Sequence, residues 1–300
     1  MPKKLPRRMC GTMSVHLRLL ETDPGFRQRQ MTLEHATMQR LMLAAEARVG
    51  ITTIPVVVHV VYNAASENIS TTQIKSQIAV LNRDYRATNT DKSKVPGVWN
   101  GLAADARVQF ALAKKDPKGN STTGITRTKT KRTSFGDDDS VKSASTGGVA
   151  AWPTDRYLNI WVCTLGGGLL GYAQFPGGPK KTDGVVILNT AFGSTGTVKA
   201  PFNLGRTTTH EVGHWLNLRH IWGDTEDCSG SDFVADTPNA AGPNFHKPKF
   251  PHVSCGNGPN GDMFMNYMDY VDDDSMFMFT TQQVARMQTA LDGARSKIGT

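Results

Sequence analysis

Three histidines in one short run constrain this 300-residue chain more than any other feature: His210-Glu-Val-Gly-His214-Trp-Leu-Asn-Leu-Arg-His220. Residues four apart lie on one face of a helix, so His210 and His214 can direct two imidazole nitrogens at one ion. Glu211 lies next to that face and can reach a water on the same metal. His220 is too far along a straight helix to join them. The helix therefore has to stop and the chain turn back, through a residue that tolerates left-handed backbone angles. Glycine is best there and asparagine next; Asn217 sits where the break is needed. Three neutral imidazoles suit Zn2+ and leave one coordination position open, as a catalytic site requires. Zinc lowers the pKa of its water to about 7 and polarises a carbonyl. Glu211 would take the water's proton and later pass it to the leaving amine.

The rest of the chain has to build a scaffold for that run. A hydrophobic fraction of 38% with 20% charge fits one large or two small domains with a substantial core. No run of 18 apolar residues occurs, which excludes a membrane-spanning helix. The net charge of +8 is concentrated at the start: residues 1–50 carry nine Lys or Arg against four Asp or Glu. No zinc-finger, RNP or helix-turn-helix pattern accompanies it, so no nucleic-acid partner is expected. The four cysteines, Cys10, Cys163, Cys228 and Cys255, allow three full pairings and include no C-x-x-C. The opening MPKKLPRR has the charge of a signal peptide, but Arg18 interrupts MSVHLRLL, and the apolar stretch that must follow is missing.

Periodicity predicts the elements. A helix is expected over Leu33–Arg48. Ile54–Tyr62 is a β-branched run that reads as a strand buried on both faces. Thr71–Leu81 reads as a helix with Thr as its cap. Val108–Ala113, Tyr157–Cys163, Gly171–Phe175 and Gly184–Leu188 complete a sheet of about five strands. Lys114–Gly148 is polar and reads as long loops, and Gly223–Asn260 has little periodicity. Thr281–Ile298 is a helix with Thr280-x-x-Gln283 as a capping box. Cys163 ends an apolar strand and reads as a buried thiol.

The histidine run resembles the long zinc-binding consensus of the metzincin metalloendopeptidases, with Asn217 in place of the commonest Gly. HEVGHWLNLRHIWGD is particularly similar to the pappalysin family, which uses Gly or Asn there. Asn266-Tyr-Met268-Asp-Tyr270 resembles that family's Met-containing turn, which implies Met268 as a soft floor under the histidines and Tyr270 as an oxyanion donor. Arg8-Met-Cys10-Gly11-Thr12 resembles its pro-segment element, in which the thiolate fills the open zinc position. Cys228 and Cys255 have the spacing of a pappalysin disulfide; the family's other bridge has no counterpart, with Ser275 at one of its positions. The stretch Gly230–Pro238 resembles the calcium loop, with Asp232, the Ala235 carbonyl and Thr237 as donors. Asp274, in Asp272-Asp-Asp274, matches the acid that favours Arg or Lys after the scissile bond. Arg48-Val49 would be the maturation site, and Gly171–Phe175 the edge that takes substrate as an extra antiparallel strand.

The resemblance implies an α+β zincin-like fold: a twisted mixed five-stranded sheet, two main helices and an irregular C-terminal subdomain ending in a helix. It divides the chain into a pro-segment (1–50), an N-terminal catalytic subdomain (51–220) and a C-terminal one (221–300). The implied activity is zinc-dependent hydrolysis of internal peptide bonds by a secreted, monomeric enzyme made as a latent zymogen, with protein substrates and no membrane partner. One rival is a non-catalytic zinc-binding or adhesion module, which would need neither Glu211 nor Tyr270. The other is an intracellular zinc hydrolase with a non-protein substrate, to which the missing signal peptide lends weight.

Overall fold

The valine-rich strand β1, Thr52–Tyr62, organises the molecule. The structure is a computed structural model and describes residues 5–43 and 50–299. Alternate β1 side chains feed different cores. Ile54, Val56, Val58 and Val60 enter the larger one, Val61 joins Trp161 and Tyr172 in a second, and Val57 meets Tyr157 in a third. Fully burying each such side chain contributes about 1.5–3 kcal/mol, which is why the run is continuous rather than alternating.

β2 (Val108–Leu112) and β3 (Ile125–Lys129) lie end to end along one edge of β1, pairing with Thr52–Val56 and Val58–Tyr62. On the other side β4 (Leu158–Cys163) is followed by β6 (Val185–Leu188), and all these pairings are parallel. β5 (Gly171–Ala173) closes the order β2-β1-β4-β6-β5 as an antiparallel edge. The sheet therefore has six strands where about five were expected. The extra one, β3, lies in the stretch read as loops. Its sequence ITRTK is half-exposed and pairs through backbone, so no apolar pattern marks it.

Helix α3 (Thr71–Tyr85) runs past the expected Leu81, and its cap is Ser70, whose hydroxyl accepts from the Gln73 N–H at 3.1 Å, not Thr71. After the short α4 (Gly97–Asn100), α5 (Arg206–Trp215) packs beside α3 and over β5 and β6. These are the two main helices. The C-terminal part is mostly irregular, with a short pair β7 (Phe245–His246) and β8 (Tyr270–Val271). The disulfide Cys228–Cys255 closes it, and Cys163 is a buried free thiol. α6 (Thr281–Asp292) has the expected capping box but ends at Gly293, short of Ile298.

The N-terminal segment holds two helices rather than one. α1 (Thr12–Thr22) buries Val15 and Leu19 with Phe135, Trp161 and Phe175 on the second core. Arg18, which interrupts the apolar run, faces outward and pairs with Asp139 at 2.6 Å. α2 (Phe26–Met42) begins well before the expected Leu33; the expected end at Arg48 and the Arg48-Val49 junction lie outside the described residues.

α2 packs along α6, where Glu34 receives both Nη atoms of Arg286, at 2.7 and 2.8 Å. The Arg286 side chain is 1% exposed and that of Glu34 22%. Glu34→Ala strands a buried guanidinium and is expected to lower stability by about 3 kcal/mol, the lower end for a broken buried pair because Glu34 is partly solvated. Urea unfolding measures this, and an unchanged midpoint would contradict it.

Candidate active site and metal centre

α5 delivers His210 and His214 on one face and then stops. Asn217 takes φ 76°. The Asn217 N–H donates to the His214 carbonyl and the Leu218 N–H to the Gly213 carbonyl, both at 2.9 Å. This is the Schellman pattern, which satisfies the last helix carbonyls through one left-handed residue. The reversal brings His220 back. Nε2 of His214 lies 3.1 Å from Nε2 of His210 and 3.1 Å from Nε2 of His220.

The outer ring nitrogens explain why these three atoms face one another. Nδ1 of His210 bonds to the Tyr267 carbonyl at 2.7 Å, that of His214 to the Leu218 carbonyl at 2.7 Å, and that of His220 to Asp224 Oδ1 at 2.5 Å. Carbonyl and carboxylate oxygens only accept, so each Nδ1 carries the proton and each Nε2 presents a lone pair. Three converging lone pairs repel unless a cation lies among them. Burial, and after it the neighbouring rings, hold His210 and His214 well below the usual histidine pKa, in the neutral form that binds metal.

Cys10 completes the set. Its Sγ and the three imidazole nitrogens all lie within 4.8 Å of one another, the only such cluster of three or more potential metal ligands among the described residues. The N-terminal segment reaches the site along β5. Leu170 N–H donates to the Met9 carbonyl and Gly11 N–H to the Gly171 carbonyl, each at 2.9 Å, and Cys10 bridges Gly171 in the parallel sense. The thiol's own pKa is raised, first by burial and then by the Glu211 charge.

Glu211 is 1% exposed. Burial pushes its carboxyl up to about 7, against hydrogen bonds from Cys10 and Thr12 and the charge of Arg8. Its Oε2 accepts from Cys10 Sγ at 3.3 Å and from Thr12 Oγ1 at 2.9 Å, while Thr12 Oγ1 accepts from the Ala173 N–H at 2.8 Å. Gly171 has to be glycine, because a Cβ there would stand 2.9 Å from the Glu211 side chain and from the Val186 carbonyl.

Met268 is fully buried and packs on α5 at Gly213, where a Cβ would come within 2.5 Å of its sulfur. The Tyr270 ring lies 4.9 Å from the His220 ring and 4.7 Å from that of Trp222. Burial raises its phenol well above the usual range, and a backbone hydrogen bond from Cys10 opposes the shift.

Comparison with known proteins agrees with this geometry. The M43 peptidase family, described as pregnancy-associated plasma protein-A, matches residues 143–292. An extracellular metalloprotease of Pyricularia oryzae is 32% identical over 252 residues, covering 81% of this chain and 76% of its own. The chain belongs to the pappalysin family. Tannerella forsythia mature mirolysin in complex with a cleaved peptide superposes with a TM-score of 0.82 at 51% identity, covering 84% of this chain and 97% of mirolysin. A promirolysin variant from the same organism reaches 0.89 at 47% identity, covering 97% of both chains. The pappalysin resemblance and the α+β metzincin fold expected from the sequence are thereby borne out. The chain is a metalloprotease, and its family implies catalytic zinc, for which the three imidazoles are a fitting donor set.

Membership in the pappalysins does not settle every expected residue. The Asp274 carboxylate is partly exposed and pairs with Lys247. Its neighbour Asp273 is the fully buried acid, and it meets Arg8 at 2.7 Å. The Arg8 guanidinium also donates to Thr207 Oγ1 at 3.0 Å and to the Val271 carbonyl at 3.3 Å. In the stretch expected to hold calcium, Thr237 Oγ1 donates to Asp232 Oδ2 at 2.6 Å, and the Ala235 N–H, on the other side of that residue's peptide from the expected carbonyl donor, donates to Gln282 Oε1. The Cys228–Cys255 bridge is present as expected.

The residues that sequence reasoning passed over are Arg8, Thr12, Asp224 and Asp273. Arg8 and Thr12 stand within the quoted Cys10 motif, so their spacing from the thiol was a usable signal. Nothing in the string of three aspartates separates Asp273 from Asp274.

Asn217→Ala puts a β-carbon into a left-handed turn and is expected to cost about 1–2 kcal/mol, whereas Asn217→Gly should be near neutral. Urea midpoints of the two variants check this. Equal midpoints would show that the reversal does not depend on residue 217.

Proposed function

We propose that this chain is the latent form of a zinc endopeptidase that acts outside the cell and cleaves on the N-terminal side of arginine or lysine. The observation that carries the reading is double engagement by the N-terminal segment: Cys10 joins the three imidazoles while Arg8 pairs with the buried Asp273. In this reading residues 1–50 are the pro-segment, 51–220 the catalytic subdomain with the metal helix, and 221–300 the subdomain with the Met-turn. Relatives named as extracellular metalloproteases and the disulfide support secretion.

His210, His214 and His220 hold the metal. When bound, zinc supplies Lewis acidity at the open end of the three imidazoles and acidifies water there. Glu211, its carboxyl raised by burial, accepts a proton near neutral pH and returns it to the leaving amine. Tyr270, kept protonated by burial, donates to the developing oxyanion. Asp273, rather than Asp274, pairs with the basic side chain that follows the scissile bond, as it does with Arg8.

Latency follows from the same contacts. The thiol takes the position a water would need, and Cys10 and Thr12 together occupy one oxygen of the base. The segment also runs parallel to β5, the reverse of the antiparallel direction expected for a substrate, so its own peptide bonds meet the catalytic groups the wrong way round.

Three variants test the reading. Glu211→Ala is expected to keep stoichiometric zinc and lose about 10²–10⁴-fold in turnover of the processed enzyme; undiminished turnover would remove Glu211 as the base. Cys10→Ala should raise the activity of the uncleaved chain on a peptide substrate. Asp273→Asn should lower kcat/KM on peptides with arginine after the scissile bond by about 10–100-fold, as the loss of a charged hydrogen bond predicts, and leave leucine peptides less affected.

A further inference from the structure

The three metal-facing imidazoles are not held alike. His210 and His214 ride on α5, and their Nδ1 atoms donate to backbone carbonyls. His220 comes after the helix has ended, on a segment without regular secondary structure. Its Nδ1 donates to a carboxylate, Asp224 Oδ1, at 2.5 Å. Of the three, it alone has a charged partner.

We propose that Asp224 is a positioning residue for the metal. Its carboxylate fixes the tautomer and ring angle of His220 and, by its charge, makes that imidazole a stronger donor to the cation. The inference rests on the zinc reading above and goes beyond it, since a peptidase mechanism asks only for the three ligands.

The local backbone is built to present this carboxylate. Asp224 takes φ 60°, and Gly223 before it φ 65°. The Gly223 N–H donates to the His220 carbonyl at 2.9 Å, closing a turn directly after the ligand. The turn packs backbone on backbone: a Cβ on Gly223 would lie 2.1 Å from the Ser231 nitrogen, and one on Gly230 would lie 2.3 Å from the Trp222 carbonyl. Trp222 stacks on the His220 ring, with centroids 4.3 Å apart and planes 10° from parallel. The ring is thus clamped by an indole on its face and a carboxylate on its outer nitrogen. The His220 side chain is 1% exposed while that of Asp224 is 23% exposed, so the charge sits at the solvent boundary, where it costs little to bury. A carboxylate behind a ligating imidazole orients it and raises its basicity, and losing one typically weakens metal binding 10–100-fold.

The test uses the full chain carrying Cys10→Ala, so that no thiol holds the metal. Zinc affinity is measured by competition with a chromophoric chelator. Asp224→Asn tolerates the left-handed angle and keeps an accepting oxygen, so it removes the charge alone; affinity should fall about tenfold. Asp224→Ala removes charge and acceptor and should approach a 100-fold loss. The metal-free melting temperature of the Asn variant should match its parent, and the visible bands of its cobalt(II) form should shift. Unchanged zinc affinity in both variants would overturn the proposal, as would a lower metal-free melting temperature with affinity intact. A parent that binds no stoichiometric zinc would overturn the functional reading itself, and this one with it.

Discussion

Two imidazole lone pairs, those of His210 and His220, lie 3.1 Å from that of His214; the three are mutually repulsive, and much of the molecule serves to keep them there. The Schellman turn at Asn217 returns the third ring. The Met-turn fixes the first, through the Tyr267 carbonyl, and fills the space left by Gly213 with the Met268 sulfur. The start of α5 is anchored by Arg206, which reaches Asp84 at 3.2 Å, Asp91 at 3.1 Å and the Tyr267 hydroxyl at 3.1 Å. Tyr85 donates to the Thr209 carbonyl, tying α3 to the same helix one residue before the first ligand. The helix is therefore held at both ends, so the placement of its two ligands, His210 and His214, is a property of the core, whereas His220 depends on the turn that follows.

Local physics made much of this legible in the sequence. A helical repeat of four, a residue tolerant of positive φ and a third histidine after it together imply one converging site. The β-branched run of β1 announced a strand buried on both faces because both faces do feed cores. What could not be read was whatever depends on long-range pairing. β3 has no apolar face and exists because β1 offers it unpaired backbone. α1 was hidden by Arg18, whose charge reads as an interruption until Asp139 appears beside it. Asp273 and Asp274 are adjacent and chemically identical. The backbone N–H groups of Leu204 and Arg206, together with Arg8, select the first, and none of them is near it in sequence.

The N-terminal segment contributes to the fold as well as to the site. Val15, Leu19 and Phe26 cover the face of the sheet opposite α3 and α5, and His16 stands between Phe26 and Phe175. Phe175 in turn packs edge-on against the His214 ring. Arg286 joins Glu34 of this segment to the Asn217 carbonyl, within the turn that returns His220. The segment thus meets the three imidazoles directly through Cys10, and the turn that returns His220 through Glu34 of α2.

That arrangement separates scission from release. A cut anywhere between residues 43 and 50 would leave the thiol, the Arg8–Asp273 pair, the α1 packing and the Glu34–Arg286 pair all in place. What such a cut removes is the tether, and with it the high local concentration that makes rebinding immediate. The clipped fragment then behaves as a bound product, and the fraction of open clefts depends on dilution and on whatever degrades the fragment once it lets go.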